Sequence, residues 1–436
     1  MSELNRWSKR VRPAALGAAG LALVLGLMGA GVASGTAKVN KPVTNFLAYV
    51  GGQGKANPKL PPVTIGIINQ QTATDAIAPA WTTGANVAEE YLNQHTRGID
   101  GHPVKVVLCK IPTTVASATA CGQQFADNGA IDSVAEGAID VGNTTIDSAL
   151  KARKMPIFYG VGLSTVDEKY PYGFILDGDV THVEAPIATF AKTYLHAKSV
   201  SISYPSNIPA EVTAFDIIDD ALKYEGIKTI YSAGFTSSDT DLSAQFEAAH
   251  AGETTVFMSI NSGGPVCSDT YLTLKSLGIH TKVIANTPCA TPTNAKADGG
   301  QLPHDWYYAA ATTVSGSPTL GLSAFEHVMT EYGKGPVGHN AWSANAFGEI
   351  ATIAKFDTEI LKAGQKITPA AVAAKARAFK GPVILGPPIL DCGGFSGFPA
   401  TCADLDSFFQ NTSPNFMKPV VYWIGPPKGF KVSVTG

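Results

Sequence analysis

The residues of this chain whose side chains could carry out chemistry are nine histidines and six cysteines. One pair of glycines could belong to a nucleotide-binding loop. The histidines are scattered singly along the sequence. The chain contains no GxxxxGK[ST] phosphate loop, no GxSxG nucleophile motif and no HExxH zinc motif. A hydrolase or transferase needs a nucleophile with a base nearby, and the sequence offers no such pair. We therefore predict that the protein is not an enzyme.

The glycine pair is Gly160 and Gly162, which follow a predicted strand and are similar to the start of a dinucleotide-binding fingerprint. The third glycine position holds Thr165, and no helical pattern begins there. A nucleotide is therefore not expected, and we predict a protein that works without a cofactor or a metal ion.

The cysteines form an even set in a chain whose N-terminus predicts export, and that compartment favours disulfides. None lies in a CxxC motif, which argues against redox catalysis and against zinc. Six cysteines allow fifteen connectivities, but these six fall along the chain as three close pairs. The local pairing is the prediction: Cys109 with Cys121, Cys267 with Cys289, and Cys392 with Cys402.

The N-terminus has the composition of an export signal. Four basic residues precede an apolar run from Ala14 to Met28, and small residues follow as far as Ala37. We predict a signal peptide over residues 1–37, cleaved after Ala33 or Ala37, and an extracytoplasmic protein in the periplasm or at the cell surface. No cysteine follows the run, so a lipid anchor is not available there. A retained membrane anchor is the alternative, because the run is about as long as a spanning helix requires.

Length and composition predict a well-buried soluble protein with at least two lobes. Single cores stop growing at roughly 250 to 300 residues, and this chain has 436, of which 45% are hydrophobic and 15% charged. The formal net charge is -3, and the first 37 residues hold four basic and one acidic residue, so the remainder carries -3 minus +3, or -6. Nucleic acid is therefore not an expected partner.

The stretch from Val63 to Lys110 predicts one βαβ unit. Its first strand is the apolar run VTIGIIN, its helix carries apolar residues at helical spacing from Trp81 to Leu92, and its second strand is HPVKVVLCK. The same alternation continues to residue 196 and starts again at Ser199. Two such series predict two parallel sheets covered by helices, because parallel strands need crossover connections.

Three breaks in the pattern predict crossings between the lobes, at Asp177 to Asp179, Thr312 to Pro318 and Gly381 to Pro388. The predicted fold is α/β, with two Rossmann-like lobes whose parallel sheets are joined by three hinge crossings. Lobe 1 is predicted to hold residues 63–178 and 313–383, and lobe 2 residues 179–312 and 384–436. Residues 38–62, rich in Gly, Lys, Asn and Pro, predict a flexible tether.

The run GANVAEEYLNQHTRGIDGHPVKVVLCK resembles the first helix and second strand of the type I periplasmic binding proteins, in the branched-chain amino acid group of ABC importers. The resemblance covers roughly Val63 to Gly425, through AEGAIDVGNTT, PIFYGVGLST, FKGPVILGPP and FFQNTSPNFMKPVVYW. It implies two lobes that close on a small molecule in the cleft between them, as in a Venus flytrap. Independently, open α/β sheets bind ligands at the carboxyl ends of their strands.

The resemblance also implies which loops of the first lobe hold the ligand's polar end. These are residues 139–143 and 161–165, with Asp140, Ser164 and Thr165 as the best polar candidates and Val161 and Leu163 beside them. Asp140 has a second interpretation, as a cap of the following helix. Gln70 and Trp81 lie at the mouth of the first strand, although Trp81 fits the core equally well.

In the second lobe the resemblance implies the loops that begin at Tyr204, Asn261 and Asn286, with Asn207 in the first of them. The sequence departs from the family here, because Asn286-Thr287-Pro288 stands where amino acid binders place an acidic residue. Burying an ammonium group without an anion is costly. An ordinary α-amino acid is therefore not favoured unless Asp140 supplies the charge, and among amino-acid-like ligands a neutral, amide or carboxylate compound fits better.

The leading hypothesis is an exported, monomeric solute-binding protein that captures a small molecule and delivers it to an ABC transporter permease. The alternative is a sensor module of the same fold that reports its ligand to a membrane signalling partner. Sequence does not separate these two functions. Loss of an importer component would abolish uptake, whereas loss of a sensor would change expression instead.

Overall fold

The computed structural model describes residues 41–71, 78–112, 114–139, 141–261, 265–290, 292–304, 306–312, 321–335, 338–413 and 416–432. The predicted signal peptide therefore lies outside the described residues. Within those ranges no helix combines the length and the apolar character needed to cross a membrane.

The first sheet has five parallel strands in the order β2-β1-β3-β4-β5. They are β1 (Val63–Gln70), β2 (Val104–Ile111), β3 (Ile131–Glu136), β4 (Ile157–Tyr159) and β5 (Gly173–Ile175). A short helix precedes them and four helices alternate with them: α1 (Phe46–Val50), α2 (Ala78–His95), α3 (Val115–Asp127), α4 (Asn143–Lys151) and α5 (Thr165–Lys169). The sequences of these strands are nearly continuous apolar runs because helices cover both faces of a parallel sheet.

The second sheet has seven strands in the order β12-β11-β10-β9-β8-β6-β7. They are β6 (Ser199–Pro205), β7 (Thr229–Phe235), β8 (Val256–Ser259), β9 (Lys282–Asn286), β10 (Tyr307–Ala310), β11 (Asp406–Ser413) and β12 (Phe416–Ile424). Its helices are α6 (Ala185–Thr193), α7 (Pro209–Tyr224), α8 (Ser243–Ala248), α9 (Pro265–Ser276), a 3-10 turn (Thr287–Cys289) and α10 (Pro292–Ala297). Only β11 breaks the parallel arrangement, since it runs antiparallel to both β10 and β12.

Three later helices return to the first sheet: α11 (Leu322–Glu331), α12 (Ala341–Lys362) and α13 (Pro369–Ala378). Helix α12 is buried on most of its surface and packs along α2. The two helices approach closely at Gly84, where an added Cβ would lie 2.1 Å from the carbonyl oxygen of Ser343. This contact holds the N-terminal end of α12 beside the first sheet.

The predicted fold class is confirmed, with two mostly parallel α/β sheets. The prediction of a flexible tether over residues 38–62 is wrong from Val43 onwards. Phe46 and Val50 of α1 are buried in the core of the first sheet, and Gly54 forms a bridge with Thr96. The Gly- and Pro-rich composition of residues 51–62 suggested a flexible segment. The short apolar segment before them, however, packs on the core.

The chain changes sheets between β5 and α6, between β10 and α11, and before β11. The last change comes later than predicted, because Ile384, Leu390 and Cys402 belong to the core of the first sheet. The first and last connections lie side by side, since Ile175 bridges Thr401 and the Thr401 hydroxyl donates to Asp179. The other lobe boundaries given above remain a prediction, and residues 313–320 of the second crossing lie outside the described residues.

All three predicted disulfides are present. Cys109 pairs with Cys121, Cys267 with Cys289 and Cys392 with Cys402, across sequence separations of 12, 22 and 10 residues. Each bond closes a short local loop, as the spacing of the cysteines predicted.

Candidate ligand-binding cavity

A cavity of about 160 Å³ lies between the carboxyl ends of the two sheets. Gly160 and Val161 follow β4 on one side of it, while Asn261 and Asn286 come at the ends of β8 and β9 on the other. Loops at this edge of a parallel sheet are free to carry binding residues, because the strands below them fix their positions. The cavity is therefore built from both sheets.

On the side of the first sheet, Asn345 organises the wall. Its Oδ1 accepts a hydrogen bond of 3.0 Å from Nε1 of Trp81, and its Nδ2 donates to the carbonyl of Gly160 at 2.9 Å and to the carboxylate of Asp177. All three side chains are buried or nearly so. The network joins helix α12, strand β4 and the first crossing at one point.

Asp177 is 6% exposed, and its Oδ1 has no hydrogen-bond partner among the described residues. Burial raises the pKa of this carboxyl to about 7, although the hydrogen bond from Asn345 lowers it. Gly386 packs closely on this carboxyl, since a Cβ there would lie 2.2 Å from Oδ1 of Asp177 and would displace it. Asp177 thus packs against Gly386 and is also one of the residues that line the cavity.

On the side of the second sheet, Glu184 lies just before α6 and, like Asp177, is a buried carboxyl that accepts a hydrogen bond from an asparagine. Its Oε1 accepts a hydrogen bond of 3.1 Å from Nδ2 of Asn286, while Oε2 has no partner among the described residues. Burial raises the pKa of Glu184 to about 7, with the Asn286 hydrogen bond acting in the opposite direction. Glu184 is 7% exposed, so its charged form is poorly solvated in the absence of a ligand.

Asp406, at the start of β11, completes this side. Burial raises its pKa well above the usual value, and the charge of Glu184 raises it further. The backbone amide of Ser407 donates to its Oδ1 at 2.9 Å. Glu184 and Asp406 therefore lie close enough for the charge of Glu184 to oppose ionisation of Asp406.

Asn261 lies against a disulfide at the same edge. Its Oδ1 is 2.9 Å from the sulfur atoms of both Cys267 and Cys289, and its Nδ2 donates to the hydroxyl of Ser259 at 2.6 Å. The side chain is 1% exposed. The disulfide therefore packs directly against a residue that lines the cavity.

The sequence of the chain matches a family model described as periplasmic binding protein over residues 62–399, which is more than half of its 436 residues. The chain belongs to the periplasmic binding protein family. The resemblance stated from the sequence is confirmed by this match, and the family consists of binding proteins that act outside the cytoplasm.

Solved structures share the fold of this periplasmic binding protein at low identity. A leucine-binding protein of Thermotoga maritima has a TM-score of 0.66 and 15% identity, covering 85% of this chain and 100% of its own. A fatty acid ABC transporter substrate-binding protein of Thermomonospora curvata has a TM-score of 0.70 and 13% identity, with coverages of 88% and 97%. A solute-binding protein of R. palustris in complex with 4-hydroxybenzoate has a TM-score of 0.67 and 16% identity, with coverages of 84% and 98%. No curated protein matches the sequence.

Four of the residues predicted from the sequence line the cavity of this periplasmic binding protein: Val161, Leu163, Asn261 and Asn286. Six others are not among the described lining residues: Gln70, Trp81, Ser164, Thr165, Tyr204 and Asn207. Asp140 lies outside the described residues. The four lining residues follow or end strands β4, β8 and β9, and the ligand-binding role of all the predicted residues remains a prediction.

The other predicted residues have structural positions. Trp81 is fully buried in the core, the alternative that the sequence left open. Ser164 caps α5 through a reciprocal capping box with Asp167, so a short helix does begin at Thr165, contrary to the sequence interpretation. Tyr204 stacks on Phe215 at 4.2 Å, and Asn207 is exposed and hydrogen-bonded to Ser237.

Sequence reasoning missed the acidic residues of the cavity, which are Asp177, Glu184, Glu211 and Asp406. It also missed Trp342 and Asn345 at the start of α12. One signal was available, because Asp177 stands in the Asp-Gly-Asp break that marked the first crossing. The absence of an acid after β9 was therefore not a reason to disfavour an ammonium group.

Within the described residues no group of three or more His, Cys, Asp and Glu side chains is arranged to hold a metal ion. The cavity therefore offers hydrogen-bonding amides, carboxyls and apolar walls to a ligand.

Proposed function

We propose that this protein captures a small organic molecule in the cavity between its two sheets and delivers it to an ABC importer outside the cytoplasm. The observation that carries the proposal is the cavity itself, which has walls from both sheets and polar groups on each wall. A site of this kind holds a ligand by shape and polar contacts. It performs no turnover.

The connections between the sheets support capture by closure. Three separate segments join them, and each contributes to the cavity, with Asp177 in the first, Thr312 in the second and Asp406 at the end of the last. A ligand that contacts both walls stabilises the arrangement in which the walls are close, because it binds that arrangement more tightly. Closure would also change the outer surface that a permease contacts.

The solved structures of similar fold support the assignment to transport. The proteins named above are described as substrate-binding or solute-binding proteins of ABC transporters, or as a leucine-binding protein. Their ligands differ in chemistry, from an amino acid to an aromatic acid and a fatty acid. They therefore support the capture of a small molecule by this chain without naming the molecule.

A thermal-shift screen against a broad panel of small metabolites tests the proposal. A ligand at 100 times its dissociation constant stabilises the folded chain by about 2.7 kcal/mol, because it binds only the folded form. We expect at least one compound to raise the melting temperature by several degrees, and scattering from the bound chain to give a smaller radius of gyration. A folded chain that no compound stabilises would refute capture.

A cavity-filling variant provides the control for this screen. Ala210, in the first turn of α7, lines the cavity and is only half-buried, so Ala210→Phe should fold and occupy ligand space. Ala374→Phe places the same side chain on the exposed surface of α13. We expect the stabilising compound to lose its effect on the first variant and to keep it on the second.

Uptake measurements test delivery separately from capture. Cells that lack this protein should lose high-affinity uptake of the stabilising compound, and the loss should require an intact permease. Normal uptake together with altered gene expression would favour the sensor function instead.

A further inference from the structure

The cavity is acidic in a way that limits its ligand. Four carboxyl residues line it, Asp177, Glu184, Glu211 and Asp406, and each is at most 7% exposed. Among the described lining residues there is no lysine, arginine or histidine. No basic side chain of the described cavity wall therefore balances the charge of Asp177 or Glu184.

Two of the four carboxyls lack hydrogen bonds that their charged forms need. Oδ1 of Asp177 and Oε2 of Glu184 have no partner among the described residues, and both atoms are buried. They lie on opposite walls, because Asp177 follows the first sheet and Glu184 precedes α6 of the second lobe. A buried carboxylate in this state is costly unless a partner is supplied.

The rest of the wall suits an apolar body. Val161, Leu163, Val180 and Val183 contribute aliphatic side chains, together with several alanines. Trp342 adds an indole ring, which is the side chain that attracts cations most strongly through its face. The wall therefore combines aliphatic surface with groups that favour positive charge.

We propose that the ligand is a small organic cation, an amine or quaternary ammonium compound with an apolar body, whose positive charge lies between the carboxyls of the two walls. This proposal rests on the proposed capture function and adds the class of ligand to it. It replaces the expectation of a neutral, amide or carboxylate compound. That expectation rested on the lack of an acid in the loop at Asn286 and considered only Asp140 as a source of negative charge.

The charge states of the carboxyls support this choice. The pKa values of Asp177 and Glu184 are both raised to about 7 by burial, so each exchanges its proton readily near neutral pH. Two further acids lie nearby, Glu349 beside Asp177 and Asp406 beside Glu184, and burial raises the pKa of each well above its usual value, which favours their neutral forms. A cation would bind the ionised form and release protons, whereas a carboxylate ligand would need the carboxyls protonated.

Matched sets of compounds test the proposal, each with one body and different head groups. The first set is 3-methylbutylamine, 4-methylpentanamide, 4-methylpentanoate and leucine, and the second is 2-phenylethylamine, 3-phenylpropanamide, 3-phenylpropanoate and phenylalanine. Choline and other quaternary ammonium compounds are added as further cationic probes. Melting temperature and titration calorimetry are measured for the purified chain at pH 6 and pH 8.

The cation proposal predicts that binding compounds carry net positive charge and bind more tightly at pH 8. With one carboxyl of pKa about 7 that must lose its proton, affinity should rise about tenfold between pH 6 and pH 8, and more with two. The amine probes keep their charge over this range, because such amines have a pKa of about 10. Tighter binding at pH 6 would overturn the proposal.

A substitution provides a second readout. Glu184→Gln keeps the hydrogen bond from Asn286 but removes the charge, so cation affinity at pH 8 should fall at least tenfold while the melting temperature of the free chain stays the same or rises. Glu253→Gln, at a side chain with 75% exposure, is the control and should change neither the cation affinity nor the melting temperature. Equal cation affinity in Glu184→Gln and the parent chain would overturn the proposal.

The outcomes separate this proposal from the one on which it rests. If amides, carboxylates or zwitterions bind more tightly than the matched amines, the cation class is wrong and capture stands. If none of these compounds binds and the broad screen also gives no shift, capture itself fails and the cation class fails with it. If the broad screen succeeds only with compounds that are not cations, the cation class is again wrong.

Discussion

Nε1 of Trp81 donates a hydrogen bond of 3.0 Å to Oδ1 of Asn345, and this contact determines the orientation of the Asn345 amide. With Oδ1 engaged, Nδ2 faces the carbonyl of Gly160 and the carboxylate of Asp177, both of which accept from it. The reversed amide would place an oxygen against two acceptors. A residue of the core thus fixes a residue of the cavity wall.

Replacing Trp81 by phenylalanine should therefore affect both stability and binding. Trp81→Phe leaves Oδ1 of Asn345 buried without its donor and removes part of a packed ring, at a cost of about 3 kcal/mol in the free energy of unfolding. Urea unfolding measures this loss, and calorimetry should show weaker binding of the stabilising compound. Trp306→Phe, in the core of the second sheet, should lose stability without losing affinity. Unchanged affinity in Trp81→Phe would contradict the role given to the contact.

Gly160 offers a second way to disturb the same network. An added Cβ would lie 2.6 Å from both Oδ1 of Asn345 and Nε1 of Trp81, so Gly160→Ala forces the hydrogen-bonded pair apart. We expect a loss of about 1 to 3 kcal/mol in unfolding free energy, typical of overpacking. Gly129→Ala is the control, because nothing lies within 4 Å of its added Cβ. Equal melting temperatures for the two variants would show that the network tolerates the displacement.

The disulfides should differ in their effect on binding. Replacing Cys267 and Cys289 by serine opens a loop of 22 residues, which costs about 3 kcal/mol in the chain-entropy model, and it also removes the sulfur atoms beside Asn261. The same change at Cys109 and Cys121 opens a loop of 12 residues and should cost a similar amount of stability, but the described contacts of these sulfur atoms, with Gln124 and Lys110, are not with cavity residues. Calorimetry should find weaker ligand binding only in the first variant. Equal affinities would mean that Asn261 needs no support from the disulfide.

Stability of the ligand-free chain should fall as pH rises from about 5 to 8. Burial raises the pKa of Asp147 to about 8, and those of Asp177 and Glu184 to about 7. Between the unfolded and folded pKa values the folded state binds more protons than the unfolded state, so each group stabilises the fold at low pH and loses this contribution as pH passes the folded value. The urea midpoint should therefore be lower at pH 8 than at pH 5.5.

Asp147→Asn provides the control for this pH dependence. Oδ1 of Asp147 accepts a hydrogen bond of 2.8 Å from the Tyr159 hydroxyl, and asparagine keeps that acceptor without the charge. The variant should be more stable than the parent at pH 8 and should show a weaker pH dependence. A parent chain with its highest midpoint at pH 8 would contradict the account of the buried carboxyls.

Much of the fold could be predicted because its signals are local. Apolar runs such as VTIGIIN have strand length, and close cysteine pairs have few partners within reach. Segments that depend on distant contacts are harder to predict. Residues 46–50, assigned to a flexible tether, form a helix that is stabilised by packing on the first core, and residues 406–413 form a strand by pairing with β10 and β12.

The cavity was less predictable for the same reason. Asn261 and Asn286 were found because they follow strands, and the carboxyl ends of strands are where such sheets bind ligands. Asp177 and Asp406 lie where the chain changes sheets, whereas Glu211 and Asn345 come from helices of different lobes. No spacing in the sequence brings these positions together, because only the packing of the two sheets does so.

The most direct test of the account is a crystal structure of the chain with the compound that stabilises it most. The account predicts density for one molecule in the cavity, in contact with Asn345 or Asp177 on one wall and with Asn286 or Glu184 on the other. A compound bound elsewhere, or held by one wall alone with no contact to the second, would contradict capture between the two sheets.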